Sequence, residues 1–185
     1  MQLPLPAHLD TPALIDCIPA HRDVDGLTTT SAGHLAHGRP TLLPCTPSGI
    51  VALLDATGIA LPGARVVVVG WGAVVGRPLA QMLLHRGATV AVAHERTTDL
   101  AAVTRTAEIL VVATGVPGLI GPEHVTPGAA VIDVGFHRTP AGPVGDVRTD
   151  DLEGIAAYLT PVPGGVGPMT TAMLLANTVR AAQIT

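Results

Sequence analysis

The sequence predicts an α/β fold, a doubly wound parallel sheet with helices on both faces, and three observations support this prediction. Short runs rich in Val, Ile and Ala alternate with segments whose apolar residues recur at helical spacing. Gly-rich turns follow several of these runs, as is typical where parallel strands end at one edge of a sheet. Hydrophobic residues make up 48% of the 185 residues and aromatic residues only 2%, so aliphatic side chains must fill the core.

The segment before the first strand carries helical patterns. Three helices are predicted there: Thr11–Ile18, Ser31–His37, and one that starts at Thr46-Pro47 and ends near Gly58. Pro62-Gly63 then supplies the turn into the first predicted strand.

The central unit of the chain is a strand, a Gly-rich turn and a helix. Arg65–Val69 is a β-branched run of strand length, and apolar residues at helical spacing continue through Pro78–Leu84. Between them stand Gly70, Gly72 and Gly76, where missing side chains let a phosphate or a second backbone come close. This pattern is typical of the pyrophosphate site of a Rossmann-type fold, although its spacing is one residue longer than the common fingerprint. The alternative is a turn that only packs the helix on the strand.

Four more strands are predicted after this unit, separated by turns and one short helix, Leu100–Thr104. The predicted strands are Thr89–Ala93, Ile109–Ala113, Ala130–Val134 and Tyr158–Thr160. In a parallel sheet the turns at Gly70, His94, Thr114 and Gly135 would share one edge. A rigid loop over residues 161–168 and a helix over Thr170–Gln183 complete the chain.

Composition argues against several classes of function. A net charge of −4 without a basic run does not suggest nucleic-acid binding. We expect no membrane association, because no apolar stretch reaches membrane-spanning length and no signal peptide opens the chain. Cys17 and Cys45 are far apart, which favours packing roles and a reducing, cytoplasmic compartment.

The titratable residues narrow the chemistry further. All ten Lys and Arg residues are Arg, so no lysine of this chain can act as a base or form a Schiff base. The eight His residues are scattered without metal-ligand spacing, so no metal site is predicted. His94, at the predicted edge of the sheet, is interpreted as a positioning residue rather than a base.

Five motifs together resemble the bifunctional methylenetetrahydrofolate dehydrogenase/cyclohydrolase family. The most specific is the Pro/Gly-rich loop TPVPGGVGPMT, and the other four occur in the family's order and spacing. The motifs are residues 160–170 (TPVPGGVGPMT), 44–49 (PCTPSG), 2–6 (QLPLP), 23–26 (DVDG) and 145–147 (GDV). The resemblance covers essentially the whole chain.

The resemblance implies an activity and an architecture. Family enzymes oxidise 5,10-methylenetetrahydrofolate with a nicotinamide cofactor and then hydrolyse the methenyl product. They combine an N-terminal α/β domain with a Rossmann domain, have a cleft between the two, and are usually dimers. By this resemblance, residues 1–45 are a remnant of the first domain and residues 46–160 the dinucleotide-binding domain. Residues 161–185 are then the cleft loop and a C-terminal helix that returns to the first domain.

The resemblance also assigns candidate site residues. Gln2 matches the glutamine that supports the catalytic lysine, and Asp25 matches the aspartate that binds the pterin ring. The substrate-binding candidates form the loop that lies against folate and nicotinamide: Pro163, Gly164, Gly165 and Val166. The cofactor-binding candidates follow the ends of three strands: Gly70, Trp71, Gly72, Val75, Gly76, Glu95, Arg96, Thr114 and Gly115.

Three departures from the family pattern bear on function. The chain begins at the last strand of the family's N-terminal domain, so the Tyr-x-x-x-Lys motif with the catalytic lysine is not in it. The family's Gly-Arg-Ser at the cofactor loop is here Gly70-Trp71-Gly72. Its His-Ser-Arg or His-Ser-Lys after the second strand is here His94-Glu95-Arg96. In the family, the Arg of the first motif and the Ser and the basic residue of the second help bind the NADP 2′-phosphate.

These departures leave two interpretations of each replacement open. Glu95 either binds the ribose hydroxyls and repels a 2′-phosphate, which favours NAD over NADP, or has drifted in an unused pocket. Trp71 either stacks on adenine or fills the pocket and closes it, in which case no cofactor binds.

Three functions remain in competition. The first is a folate enzyme of one-carbon metabolism, an oxidoreductase and hydrolase whose catalytic lysine lies upstream or in another chain. The second is a diverged enzyme acting on another iminium or C=N substrate, by cyclisation or imine hydrolysis in a biosynthetic pathway. The third is a nucleotide-binding subunit without chemistry.

Overall fold

The computed structural model describes residue 1 and residues 3–184, and its central feature is a five-stranded parallel sheet. The strands, in chain order, are β1 (Arg65–Val69), β2 (Thr89–Ala93), β3 (Ile109–Val112), β4 (Ala130–Asp133) and β7 (Tyr158–Leu159). Their order across the sheet is β2-β1-β3-β4-β7. A separate antiparallel hairpin, β5 (His137–Thr139) and β6 (Gly142–Val144), follows β4.

Helices surround this sheet and precede it in the chain. The α-helices are α1 (Thr11–Asp16), α2 (Thr29–Ala36), α3 (Cys45–Ala56), α4 (Gly76–His85), α5 (Leu100–Thr104) and α6 (Val166–Ile184). Short 3₁₀ turns span Ala20–Arg22, Pro122–His124 and Thr149–Leu152.

The core lies on both faces of the sheet, as expected for a parallel sheet covered on two sides. Along β1, Val66 and Val68 pack into one buried cluster with α3 and α4, while Val67 and Val69 pack into a second. All four are at most 2% exposed. The doubly wound α/β prediction is therefore confirmed.

The terminal helix α6 packs against α3 and returns the chain to its N-terminal segment. Gly49 of α3 permits the close approach, because an added Cβ would lie 2.9 Å from the Cβ of Met169. The buried amide of Asn177 donates to the carbonyls of Val24 and Leu43, at 2.8 and 2.7 Å. Thr170 joins the two helices through its hydroxyl, 3.0 Å from the hydroxyl of Thr46.

The sequence predictions differ from the structure mainly at element ends. The bounds of β1, β2 and α5 are as predicted, but α1 ends at Asp16 rather than Ile18. The terminal helix begins at Val166 rather than Thr170, because Pro168 in the first turn lacks only an N–H that would have no helical partner. The β5–β6 hairpin was not predicted, since its Pro- and Gly-containing sequence has no strand-like alternation.

Candidate functional site

The carboxyl ends of the parallel strands form one edge of the sheet, and a cleft of about 770 Å³ lies along it. Helix α4 connects β1 to β2 against one core cluster, whereas α5 connects β2 to β3 beside the other. The cleft therefore lies near the point between β1 and β3 where the winding reverses, the usual ligand position in such sheets. This edge cleft is lined by residues 69–72, 77, 94–97, 100, 113–114, 116 and 119.

The three glycines of the loop after β1 have different structural roles. Gly70 has a φ of +113°, and a Cβ there would collide with the carbonyl of Ala113. A Cβ on Gly76 would collide with the carbonyl oxygen of Gly70, so both glycines serve the packing of loop, helix and sheet. Gly72 lines the edge cleft and has nothing within 4 Å of an added Cβ, which leaves its backbone open to a ligand.

Trp71 lies on the wall of the edge cleft and is 43% exposed, so it does not fill the cleft. The guanidinium of Arg77 is 5.7 Å from the centre of the Trp71 ring, a cation–π distance. Its Nε–H also donates to the Trp71 carbonyl at 3.1 Å. Arg77 was not among the predicted site residues. Its position directly after the last loop glycine, at a helix N-terminus, is the sequence signal that could have identified it.

A tight turn after β2 brings one acidic and one basic side chain, Glu95 and Arg96, to the edge cleft. The backbone N–H of Thr97 donates to the carbonyl of His94 at 2.8 Å, and the Thr97 hydroxyl accepts from the N–H of His94 at 2.9 Å. The His94 ring accepts at Nδ1 from the N–H of Arg96, at 3.2 Å. Glu95 and Arg96 are exposed and line the cleft.

Thr114 and Gly115, after β3, are held by a buried carboxylate. Asp146 is 0% exposed, and its Oδ2 accepts from the N–H of Thr114, the hydroxyl of Thr114 and the N–H of Gly115, at 2.6, 2.8 and 2.9 Å. Asp146 lies in the GDV motif, but no role was predicted for it. The cleft lining includes Thr114 but not Gly115.

Asp133, at the end of β4, holds the backbone on both sides of the hydrogen-bonded Asp146. Its carboxylate accepts from the N–H groups of Gly135, Asp146 and Val147, at 2.9, 3.0 and 3.0 Å. Burial raises the pKa of Asp133, and the Asp146 charge adds to this, while the backbone hydrogen bonds oppose it. Two buried carboxylates thus organise the backbone behind the edge cleft.

Val75 and Gly76 are not part of the cleft lining. Val75 precedes the first residue of α4 and is half-buried against the core cluster that contains Val66. These two predicted residues shape the loop from behind rather than face a ligand.

A second cleft, of about 750 Å³, lies on the other side of the Gly-rich loop. Its lining comes from the N-terminal segment, the start of α3, the loop and α6: residues 1, 3–5, 11, 25, 27, 45–46, 74, 170–171 and 174. The predicted residue Asp25 is here, and its Oδ1 accepts from the N–H of Cys45 at 3.1 Å. Burial raises the pKa of the Cys45 thiol to about 12, so that thiol stays protonated at neutral pH.

The predicted substrate-binding residues, 163–166, lie apart from both cleft linings. Pro163 and Gly164 are exposed, whereas Gly165 and Val166 are buried and Val166 joins the core. Gln2 lies outside the described residues. Cys45 is buried as expected, but the packing role expected for Cys17 is wrong, because Cys17 is exposed at the end of α1.

The described residues, 1 and 3–184, show neither a metal-binding cluster nor a membrane-spanning helix. They contain no group of three His, Cys, Asp or Glu side chains that could hold a metal ion. Within the same residues, no helix has the length and apolar character needed to cross a membrane.

Comparisons with known proteins agree with this architecture. Residues 44–185 match the family model of the tetrahydrofolate dehydrogenase/cyclohydrolase NAD(P)-binding domain. The chain is 59% identical to bifunctional protein FolD 2 of Frankia alni, over 99% of this chain and 64% of that protein. It is 56% identical to bifunctional protein FolD 1 of Rubrobacter xylanophilus, over 100% of this chain and 65% of that protein.

Solved structures give the same result. The crystal structure of the FolD enzyme from Campylobacter jejuni superposes with a TM-score of 0.95 at 45% identity, covering 99% of this chain and 66% of that one. The Trypanosoma brucei FolD, solved with NADP and an inhibitor, gives a TM-score of 0.92 at 42% identity, covering 99% and 65%. The chain thus spans about 64% of the length of its Frankia relative. It belongs to the tetrahydrofolate dehydrogenase/cyclohydrolase family, and residues 44–185 are its NAD(P)-binding domain.

Proposed function

We propose that this chain is the NAD(P)-binding and cleft-loop part of an enzyme that oxidises methylenetetrahydrofolate and hydrolyses the methenyl product. One observation carries the proposal: a single Gly-rich loop borders both clefts. Gly72 lines the edge cleft and Val74 lines the second cleft. A cofactor in one cleft and a substrate in the other would be neighbours, as hydride transfer requires.

The edge cleft fits a dinucleotide. The backbone at Gly72 is open to a pyrophosphate, and Arg77 at the start of α4 adds a positive charge beside it. Glu95 is placed to accept hydrogen bonds from ribose hydroxyls. When bound, the nicotinamide ring supplies the hydride acceptor. Thr114 and the turn after β2 orient the ligand.

The second cleft is the folate side of the proposal. Asp25 lines it, and its carboxylate can accept hydrogen bonds from the amino and ring N–H groups of a pterin. Gln2 and the loop of Pro163, Gly164, Gly165 and Val166 keep their predicted roles as residues that act on or contact the substrate. The catalytic lysine would come from a segment upstream or from another chain.

We further propose that the cofactor is NAD rather than NADP. Trp71 and Gly72 cannot replace an Arg and a Ser as partners of a 2′-phosphate. The Glu95 carboxylate lines the same cleft and would repel that phosphate, an effect that Arg96 and Arg77 offset only in part. The exposed edge of α6 supports a homodimer, and the two free cysteines support a reducing compartment such as the cytoplasm.

The alternatives of a diverged enzyme and a non-catalytic subunit are not favoured. An identity of 59% to a bifunctional FolD protein gives no support to a different substrate. The deciding experiment has two parts. The DNA upstream of codon one is sequenced, and the protein encoded by the longest open reading frame is assayed for NAD-dependent methylenetetrahydrofolate oxidation. An in-frame Tyr-x-x-x-Lys segment and activity support the proposal. A longer protein with that segment that neither binds NAD(P) nor oxidises the substrate would overturn it.

A further inference from the structure

A histidine on the β5–β6 hairpin is bonded to the buried carboxylate behind the edge cleft. His137 Nε2 lies 2.7 Å from Asp146 Oδ1, and the His137 side chain is 21% exposed. The Asp146 side chain is fully buried. Because the oxygen of a carboxylate accepts hydrogen bonds, this bond requires Nε2–H of His137 as the donor and Asp146 as the acceptor.

This bond brings a fourth donor to Asp146, at the oxygen that Thr114 and Gly115 do not contact. A carboxylate offers about four lone-pair sites. Three donors from Thr114 and Gly115 reach Oδ2, and His137 reaches Oδ1. A buried carboxylate that loses a donor pays a desolvation penalty, so loss of His137 would loosen the whole arrangement.

Thr114 connects Asp146 to the edge cleft, because it bonds the carboxylate and also lines the cleft. The proton of its hydroxyl is committed to Asp146, at 2.8 Å, and the hydroxyl oxygen accepts from the N–H of Val116 at 3.2 Å. The Thr114 hydroxyl oxygen can therefore accept a further hydrogen bond but cannot donate one. Since Thr114 lines the edge cleft, this part of the cleft is suited to a donor group and unsuited to a phosphate.

We propose that His137 is a positioning residue that acts through Asp146 to fix Thr114 as a hydrogen-bond acceptor for a ribose hydroxyl or carboxamide of the bound nucleotide. The inference rests on the proposed use of the edge cleft as a nucleotide site. By this proposal the β5–β6 hairpin contributes to nucleotide binding, although none of its residues lines the edge cleft.

Four variants of the 185-residue chain test the proposal. His137→Leu and His137→Ala remove the donor, and His137→Gln places an amide N–H near the position of Nε2. Arg138→Ala, the exposed neighbour on the same strand, is the matched control. Each is measured by calorimetric titration with NAD, by thermal melting, and by amide hydrogen exchange at Thr114 and Gly115 without nucleotide.

We expect the two donor-less variants to bind NAD about tenfold more weakly and to exchange both amides about tenfold faster. The Gln variant should restore both properties, and the control should leave them unchanged. Unchanged exchange in a folded donor-less variant, no recovery with Gln, or unfolding of both donor-less variants would overturn the proposal. If the unmodified chain binds no NAD, the proposed function fails instead, and the exchange rates alone decide the link through Asp146.

Discussion

The two clefts have similar volumes, about 770 and 750 Å³, but differ in what encloses them. The edge cleft is built from strand ends, the loop before α4 and the turn after β2, all within the domain that the family model covers. The second cleft combines this domain with residues 1, 3–5, 11, 25 and 27, which lie before it in the chain. Near it, α6 leaves Leu174, Leu175 and Val179 at 40%, 65% and 60% exposure.

This difference separates a site built within the sheet domain from one that, in our proposal, a further segment completes. In the edge cleft, the buried Asp146 carboxylate accepts hydrogen bonds from the backbone of Thr114 and Gly115, in the turn after β3. The second cleft is lined by Asp25 and by Leu174 of α6, a helix that also exposes Leu175 and Val179. Such surfaces mark places where another protein surface packs.

The largest expected effect concerns catalysis in the second cleft. The chain as it stands should hydrolyse methenyltetrahydrofolate about 10²–10⁴-fold more slowly than a protein that includes the lysine segment, the usual contribution of a positioned acid–base group. The measurement is the loss of methenyl absorbance with each protein at equal concentration. Efficient turnover by the shorter chain would show that another base acts, and Asp25→Asn would test the first candidate.

A pair of glycine substitutions tests whether the edge cleft is shaped by packing. Gly76→Ala should destabilise the fold by about 3 kcal/mol or more, because its Cβ would collide with the Gly70 carbonyl. Gly72→Ala meets open space and should change the free energy of unfolding by about 0.5 kcal/mol, while weakening nucleotide binding. Urea unfolding and NAD titration measure the two effects. Equal loss of stability in both variants would contradict the division of roles among the glycines.

The exposed face of α6 gives the next effect. We expect the chain to self-associate through its uncovered aliphatic side chains, and Leu175→Glu to weaken that association about tenfold or more. Analytical ultracentrifugation at micromolar concentration measures it. The matched control is Gln183→Glu, an exposed position of α6 without an apolar side chain. A monodisperse monomer of the unmodified chain would count against the prediction.

The smallest expected effect is the choice between nucleotides. Glu95→Ser should shift binding toward NADP by roughly 1 kcal/mol, because it removes a like charge near the 2′-phosphate position in a solvent-exposed cleft. Calorimetric titration of NAD and NADP into both proteins measures the shift. Tighter binding of NADP by the unmodified chain would reject the role of Glu95. Failure to bind either nucleotide would contradict the proposed use of the edge cleft as a nucleotide site.

The strength of the sequence signals explains which parts were predictable. β1 and β2 are aliphatic runs, each with a glycine two residues before it, so their bounds follow from local pattern. Comparison with the family motifs assigned Asp25 to the substrate and Glu95 to the cofactor. Asp146 lies in the GDV motif and His137 in none of the five motifs, and the sequence assigned neither residue a role. Their role comes from hydrogen bonds to residues in other elements, between Asp146 and Thr114 for example, and such pairing is not encoded in the spacing of either segment.

The amide of Asn177 has a consequence for the order in which the protein is made. It bonds the carbonyl of Val24, 153 positions earlier, so the wall that the N-terminal segment gives to the second cleft closes on a helix synthesised much later. Contacts over such separations form late, because loop closure must precede them. During synthesis, the strands of the NAD(P)-binding sheet can assemble from the chain already released. The N-terminal segment, by contrast, can complete its side of the second cleft only after the ribosome has delivered α6.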